Sequence, residues 1–373
     1  MNNPFSTLLR SASGRASLFA SAALFLAAAR PAAATNAMTH AALQAVNADG
    51  TSPQTWTNQY PFVLRGIWLN APAEMLPSNY VEGATSPSGG GQFQVFVQAV
   101  DAGDRGGTAL YMAQRGYMAS MVYSAEEWTN EYRRVTTDAA TGRTFQPGDY
   151  VEVTARMAMH YNGKVNVNEG HRTDAAYNFD IRLLTPNAGL PQAEALTLSD
   201  LVDSNNAAIF DATRATGGEH WQGMRVRLDA IRLTETNPAG WNPAAAWGGR
   251  LVEVADATGR TFHLRMPRTD LGAPPPTNAV FSVVGILNQE GSNTNGYELF
   301  VQEIGPILAL RFDSDDGAAC LSYSADYEGF ELQYSDDGGD TWSSPPLAFP
   351  VEITVRDATA PLATQRFYRL RQP

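Results

Sequence analysis

The sequence predicts an all-β chain, 373 residues long, built from two diverged copies of one five-strand unit and a smaller β module behind them. Three observations carry this. Glycine (32) and proline (22) punctuate short runs rich in Val, Tyr, Phe and Thr, which is how many brief strands joined by tight turns read. Period-two alternation recurs in MRVRL (224–228), YELFV (297–301), FELQY (330–334) and VEITV (351–355), as half-buried strands require, whereas long 3.6-period runs are nearly absent. The chain also resembles itself. WQGMRVRLDAIRL, GGRLVEVADATGRTFHLRMP and NAVFSVVGILNQEGSNTNGYELFVQEI (within 221–304) follow the same order as YPFVLRGIWLN, GQFQVFVQAVDAGDRGGTALYMAQ and GDYVEVTARMAMHYNGKVNVN (within 60–168). In both, a strand ending in a turn precedes a hairpin over an Asp/Gly turn, a spacer and a hairpin over an Asn/Gly turn.

Residues 1–34 read as a secretory signal peptide. Arg10 and Arg15 precede the apolar run ASLFASAALFLAAA and the small-residue stretch RPAAATNA, with cleavage expected just after Ala34. About 14 apolar residues are too few for the roughly 20 of a spanning helix, and no later segment is apolar enough to cross a membrane. The mature chain is therefore expected outside the cytoplasm, in the periplasm, at the cell surface or beyond it. An N-terminal extension (35–57) leads into the first β unit (58–190). An insertion in that unit, between Gly116 and Phe145, carries the helical candidate SMVYSAEEWTNEYRR (120–134). The second unit (191–305) opens on another, LSDLVDSNNAAIF (198–210), with Ser199 as a possible cap. Residues 306–373 read as about six short strands.

The layout of the two units resembles the OB-fold barrel, in particular the tandem copies of exported bacterial proteins in which GD-V-V opens the fourth strand. Gly148, Asp149, Val151 and Val153 match that opening, while the second copy departs from it with Asn278, Ala279 and Val280. The C-terminal segment, closing on FYRL (367–370), resembles the fibronectin-like β-sandwich modules of secreted bacterial proteins. Within it, Ser335, Asp337, Gly339, Thr341 and Trp342 fit the Asp-box pattern S-x-D-x-G-x-T-W. Those residue types stabilise a hairpin: Asp accepts backbone N–H groups, Gly supplies a positive φ and Trp packs beneath. Asp336, Asp337 and Asp340 offer hard oxygens for a calcium alternative, although DSDDG (313–317) lacks the EF-hand register. No other cofactor is expected.

Charge narrows the partners. The full chain carries −12, and the loss of Arg10, Arg15 and Arg30 with the leader leaves 23 basic residues against 38 acidic ones, or −15. Such a surface repels polyanions, which makes nucleic acid an unfavoured partner. A lone Cys320 allows no intramolecular disulfide. The five histidines are widely spaced, with Glu169, His171 and His160 the nearest approach to a metal set. No G-x-S-x-G elbow appears, and GGG (89–91) lacks the lysine and helix of a phosphate loop.

Aromatic residues offer the positive signal. Trp241 and Trp247 lie in NPAGWNPAAAWGG, between the first and second strands of the second unit, and Tyr161 lies on the rim of the first. Large planar apolar faces suit stacking on sugar rings. The expectation is an exported, non-catalytic binding or structural protein, with extracellular polysaccharide or a cell-envelope component as its partner. Two alternatives stand beside it: an extracellular hydrolase or nuclease-associated module with a carboxylate site assembled by the fold, and a surface-layer or matrix component.

Overall fold

The first sheet gathers eight strands: β1 (Asn36–Ala37), β2 (Phe62–Trp68), β3 (Gln92–Gln98), β4 (Gly107–Ala113), β5 (Tyr150–Ala155), β6 (Ala158–Tyr161), β7 (Lys164–Asn168) and β8 (Phe179–Thr185). This computed structural model describes residues 36–306 apart from 55–59, 86–88, 117–122, 171 and 278. Beyond them it describes β15 (Ala309–Phe312), β16 (Ala319–Ser322), β17 (Glu331–Ser335), β18 (Thr354–Asp357), β19 (Phe367–Arg371), Thr341 and Ser343. The expected leader and most of the Asp-box, with Asp336, Asp337, Gly339, Asp340 and Trp342, lie outside the described residues. So does DSDDG. β15, β16 and β18 pair antiparallel, as do β17 and β19, with Ser335 opposite Phe367.

In the first sheet β2 pairs antiparallel with β3 and with β5, β3 with β4, and β4 parallel with β7. β6 pairs antiparallel with β7 and is separated from β5 by only Arg156 and Met157. One run of chain therefore pairs with β2 at its start and with β7 at its end. The second sheet contains β9 (Glu194–Leu196), β10 (Arg225–Leu233), β11 (Leu251–Ala255), β12 (Thr261–Arg265), β13 (Phe281–Ser292) and β14 (Asn295–Pro306). Its pairings lead from β10 through β11, β12, β14 and β13 back to β10, with β12 and β14 the parallel pair. The two halves thus share one strand order, and the self-resemblance reaches further back than the sequence comparison detects. β1 runs parallel to β2 before the short α1 (His40–Leu43), and β9 runs parallel to β10 before a single 3-10 turn (Leu198–Asp200).

The helix expected in the insertion forms as α3 (Ala125–Thr136). Ser124 and Glu127 exchange side-chain and backbone hydrogen bonds at 3.2 and 2.8 Å, a capping box that satisfies free N–H groups of the first turn. Glu126 and Glu127 at the start and Arg133 and Arg134 at the end complement the helix dipole. Trp128, Tyr132 and Val135, spaced i, i+4, i+7, lie against the core of the first sheet with Phe93, Val95, Leu110 and Val153. The second expected helix, 198–210, stops after its 3-10 turn. Asp203 accepts from the N–H groups of Asn205 and Ala207 at 2.8 and 2.9 Å, and Asn206 takes a positive φ of 62°. That local turn competes successfully with helix continuation.

The outer faces of the two sheets meet. Phe93, Val95 and Val97 of β3 point into the first core, while Phe96 points the other way to join Ile67, Leu69, Met75, Ala109, Ile286 and Phe300. A second apolar cluster therefore belongs to both sheets. Polar residues flank it: Gln98 Oε1 accepts from Arg225 N at 2.8 Å, and Gln302 donates to Leu69 O at 2.7 Å. Arg105 makes a bidentate pair with Glu194 at 2.8 and 3.0 Å. Gly107 and Gly223 let backbones touch, since a Cβ on Gly107 would lie 2.0 Å from Gly223 O.

Candidate functional site

The loop from β10 to β11 holds both tryptophans singled out above, and the structure gives them different places. Trp241 lies in a 3-10 turn (Ala239–Trp241), 8% exposed, among the core residues of the second sheet. Its Nε1 donates to Gly272 O at 2.8 Å, tying this loop to the proline-rich connection between β12 and β13. A buried indole with a satisfied N–H anchors a loop. The ring-stacking expectation thus passes to Trp247 and Tyr161.

Trp247 opens a second 3-10 turn (Trp247–Gly249), half-buried against the apolar cluster shared by the sheets. The Arg265 guanidinium sits 4.3 Å from its ring centroid and that of Arg250 5.3 Å away, within cation–π range. Arg265 also donates to Trp247 O, and through Nε and Nη2 it grips Glu298 at 3.0 and 2.6 Å. Burial pushes the Glu298 carboxyl up, and Arg265 opposes that rise. Arg250 donates to Met266 O and across the seam to Met75 O of the four-residue α2 (Pro72–Met75). Burial, followed by repulsion from Arg268 and Arg265, lowers Arg250 to about 10. Three arginines converge here in a chain of net negative charge, and Arg268 is exposed.

Tyr161, 42% exposed, ends β6 at a hairpin whose Asn162 and Gly163 have φ of 50° and 88°, the pair of positive values a tight two-residue hairpin turn demands. That tip rests on the second sheet, where Asn162 Nδ2 donates to Glu290 O at 3.3 Å. Behind it Lys164, 3% exposed, donates to Asn288 Oδ1 and to Gln289 O, both at 2.8 Å, and pairs with Glu290. Asn288 in turn donates to Glu298 at 3.4 Å. Tyr161 and Trp247 therefore flank the two ends of one polar chain: Lys164, Asn288, Glu298, Arg265. Strand register builds it, since Asn288 faces Glu298 across β13 and β14, and Arg265 faces Phe300 across β12 and β14.

Sequence reasoning singled out none of these four linking residues as a site. The usable signals were the lone lysine, Lys164, and the polar NQE that ends the apolar run VVGIL.

Other chemistry-bearing groups serve the fold. His40 is buried, with Nδ1 2.9 Å from Thr108 Oγ1 and Nε2 3.1 Å from Arg65 O, and burial lowers its pKa. His160 bonds Gly50 O at 3.2 Å and Glu169 bonds Ala113 N at 3.4 Å; His171 lies outside the described residues. Among the described residues no three His, Cys, Asp or Glu side chains gather as metal ligands. Asp149, from the GD-V-V opening, accepts from Gln146 N and Asn187 N and pairs with Arg143 at 2.5 Å. Burial works against its charge, but these donors hold the carboxyl below its usual range. Among the described residues no helix is long and apolar enough to cross a membrane. No protein-family model matches the chain, and no curated protein is significantly similar to it.

Proposed function

We propose that the chain is an exported, non-catalytic binding protein in which two OB-type barrels carry a site for an extracellular polysaccharide, with a fibronectin-like module behind them. The barrel reading is supported by the pairings that lead from β10 back to β10, and by the two-residue step from β5 to β6 that lets one run of chain serve both β2 and β7. The ligand reading rests on one observation: Trp247, packed against the buried Arg265 and Arg250, keeps part of its ring at the surface, with the exposed Arg268 nearby. An indole edge gives a sugar ring an apolar contact surface, and the exposed Arg268 offers donors to sugar oxygens. Tyr161 supplies a second exposed ring on the first unit.

Affinity electrophoresis of residues 35–373 through polygalacturonate, neutral glucans and single-stranded DNA, with and without calcium, tests this. Retardation by a glycan is expected, weakened about tenfold, or about 1.4 kcal/mol, by Trp247→Ala. Retardation only by DNA would overturn the ligand class. No retardation by any glycan leaves a structural role in the envelope or matrix.

A further inference from the structure

Of the 26 basic residues only Lys164 is a lysine, and it is buried at the seam rather than solvated at the surface. For a buried ion pair arginine is the better choice, since its fork keeps its charge and binds carboxylates at two points. This chain uses arginine in the other buried pair of the seam, Arg265 with Glu298. What a lysine adds is a primary amine, which acts as a nucleophile once neutral.

The amine has a target. Lys164 Nζ lies 2.8 Å from Asn288 Oδ1, and the carbonyl bond is about 1.23 Å long, so Nζ is within about 4 Å of the amide carbon. Glu290 Oε1 touches both partners: it pairs with Lys164 Nζ and accepts from Asn288 Nδ2 at 3.1 Å. Glu298 Oε1 accepts from the same Nδ2 at 3.4 Å. Asn288 and Gln289 are fully buried and Lys164 nearly so, which keeps competing water from the amide. Nucleophile, acyl carbon, proton carrier and dry surroundings coincide here.

We propose that Lys164 and Asn288 become joined by an intramolecular isopeptide bond, with Glu290 carrying the protons. Glu290 takes a proton from the Lys164 ammonium, and the freed lone pair adds to the Asn288 amide carbon, placing negative charge on Oδ1. Collapse of that adduct breaks the bond to Nδ2. The departing nitrogen collects the proton of the attacking nitrogen through Glu290, and leaves with the first proton as ammonium. A lysine ammonium and a primary amide thus become a secondary amide and ammonium, with no change of oxidation state and no co-reactant. The product ties β7 to β13 across 124 residues of chain. It supplies the covalent staple that a single cysteine cannot.

Mass spectrometry of the purified full chain decides the matter. The protein should weigh about 17 Da less than the sequence counted from its observed N-terminus, the mass of one ammonia. Trypsin should release residues 157–172 joined to residues 269–311, uncut after Lys164. Glu290→Gln, which keeps the shape but cannot take the proton, should restore the full mass and separate the peptides. Lys164→Arg, which keeps the charge without the amine, should also show the full mass and unfold at a lower temperature. A wild-type chain of full mass that trypsin cuts after Lys164 overturns the bond. A linked Glu290→Gln variant overturns the role of Glu290.

Discussion

In the first unit β3 and β7 are buried residue after residue, whereas β10 of the second alternates buried with exposed or half-exposed positions along most of its nine residues. The unit to which a strand belongs does not explain the contrast, since β14, the counterpart of β7 in the strand order, is also buried from Tyr297 to Val301. Position does: the outer faces of β3 and β4 lie against the second sheet, and β10 turns much of its outer face to solvent. The two cores also differ in what packs against them. α3 lies on the first, through Trp128 and Tyr132, while the second takes Trp241 from a loop. One strand order accepts a helix or a loop because each needs only to bring large apolar side chains to the core.

The largest predicted effect breaks the contrast at its source. Phe300, fully buried in the cluster both sheets share, becomes a cavity in Phe300→Ala, expected to cost about 3–5 kcal/mol in denaturant unfolding. If the sheets depend on each other, both units should melt in one transition at the lower midpoint. Separate transitions would show two independent domains.

A second prediction sharpens the asymmetry through pH. Glu169, at the end of β7, is buried with Oε2 unpartnered, and burial pushes its carboxyl up to about 8 from 4.5. Between those values the unfolded chain releases a proton that the folded chain keeps. Stability therefore falls as pH rises through that window and levels off above it. Glu169→Gln mimics the protonated form and should stabilise the protein by about 3 kcal/mol at pH 7. Its advantage should vanish below pH 4.5, as read from midpoints measured across the range. The smallest effect concerns the helix that only the first unit possesses. Ser124→Ala removes the α3 cap and should cost about 1 kcal/mol, seen as faster amide exchange in the first turn of α3 with β10 to β14 unchanged.

Much of the fold was legible in advance because its signals are local. MRVRL and YELFV became parts of β10 and β14, and the candidate stretch SMVYSAEEWTNEYRR holds most of α3. The helix expected at 198–210 was misread because its apolar spacing hid an Asp-Ser-Asn-Asn turn. The candidate site was legible only in part. Composition could pick out tryptophans, but both stood in the same kind of loop sequence, and nothing local separated the buried anchor from the half-exposed ring.

By itself the sequence determined the strand periods, the turns, the duplicated order and the acidic balance, since each depends on neighbours a few residues apart or on a simple sum. Only the tertiary structure decided what the second face of each strand meets. A period of two says that the faces differ; it does not say whether the polar one faces water or another sheet. QFQVFVQ reads as a strand with wet glutamines, yet all its residues are buried. Lys164, Asn288, Glu290 and Glu298 read as surface residues more than a hundred positions apart in part, and strand register across the seam brings them within bonding distance. Burial then changes their chemistry, because an ammonium, an amide and a carboxylate deprived of water interact with one another instead of with solvent.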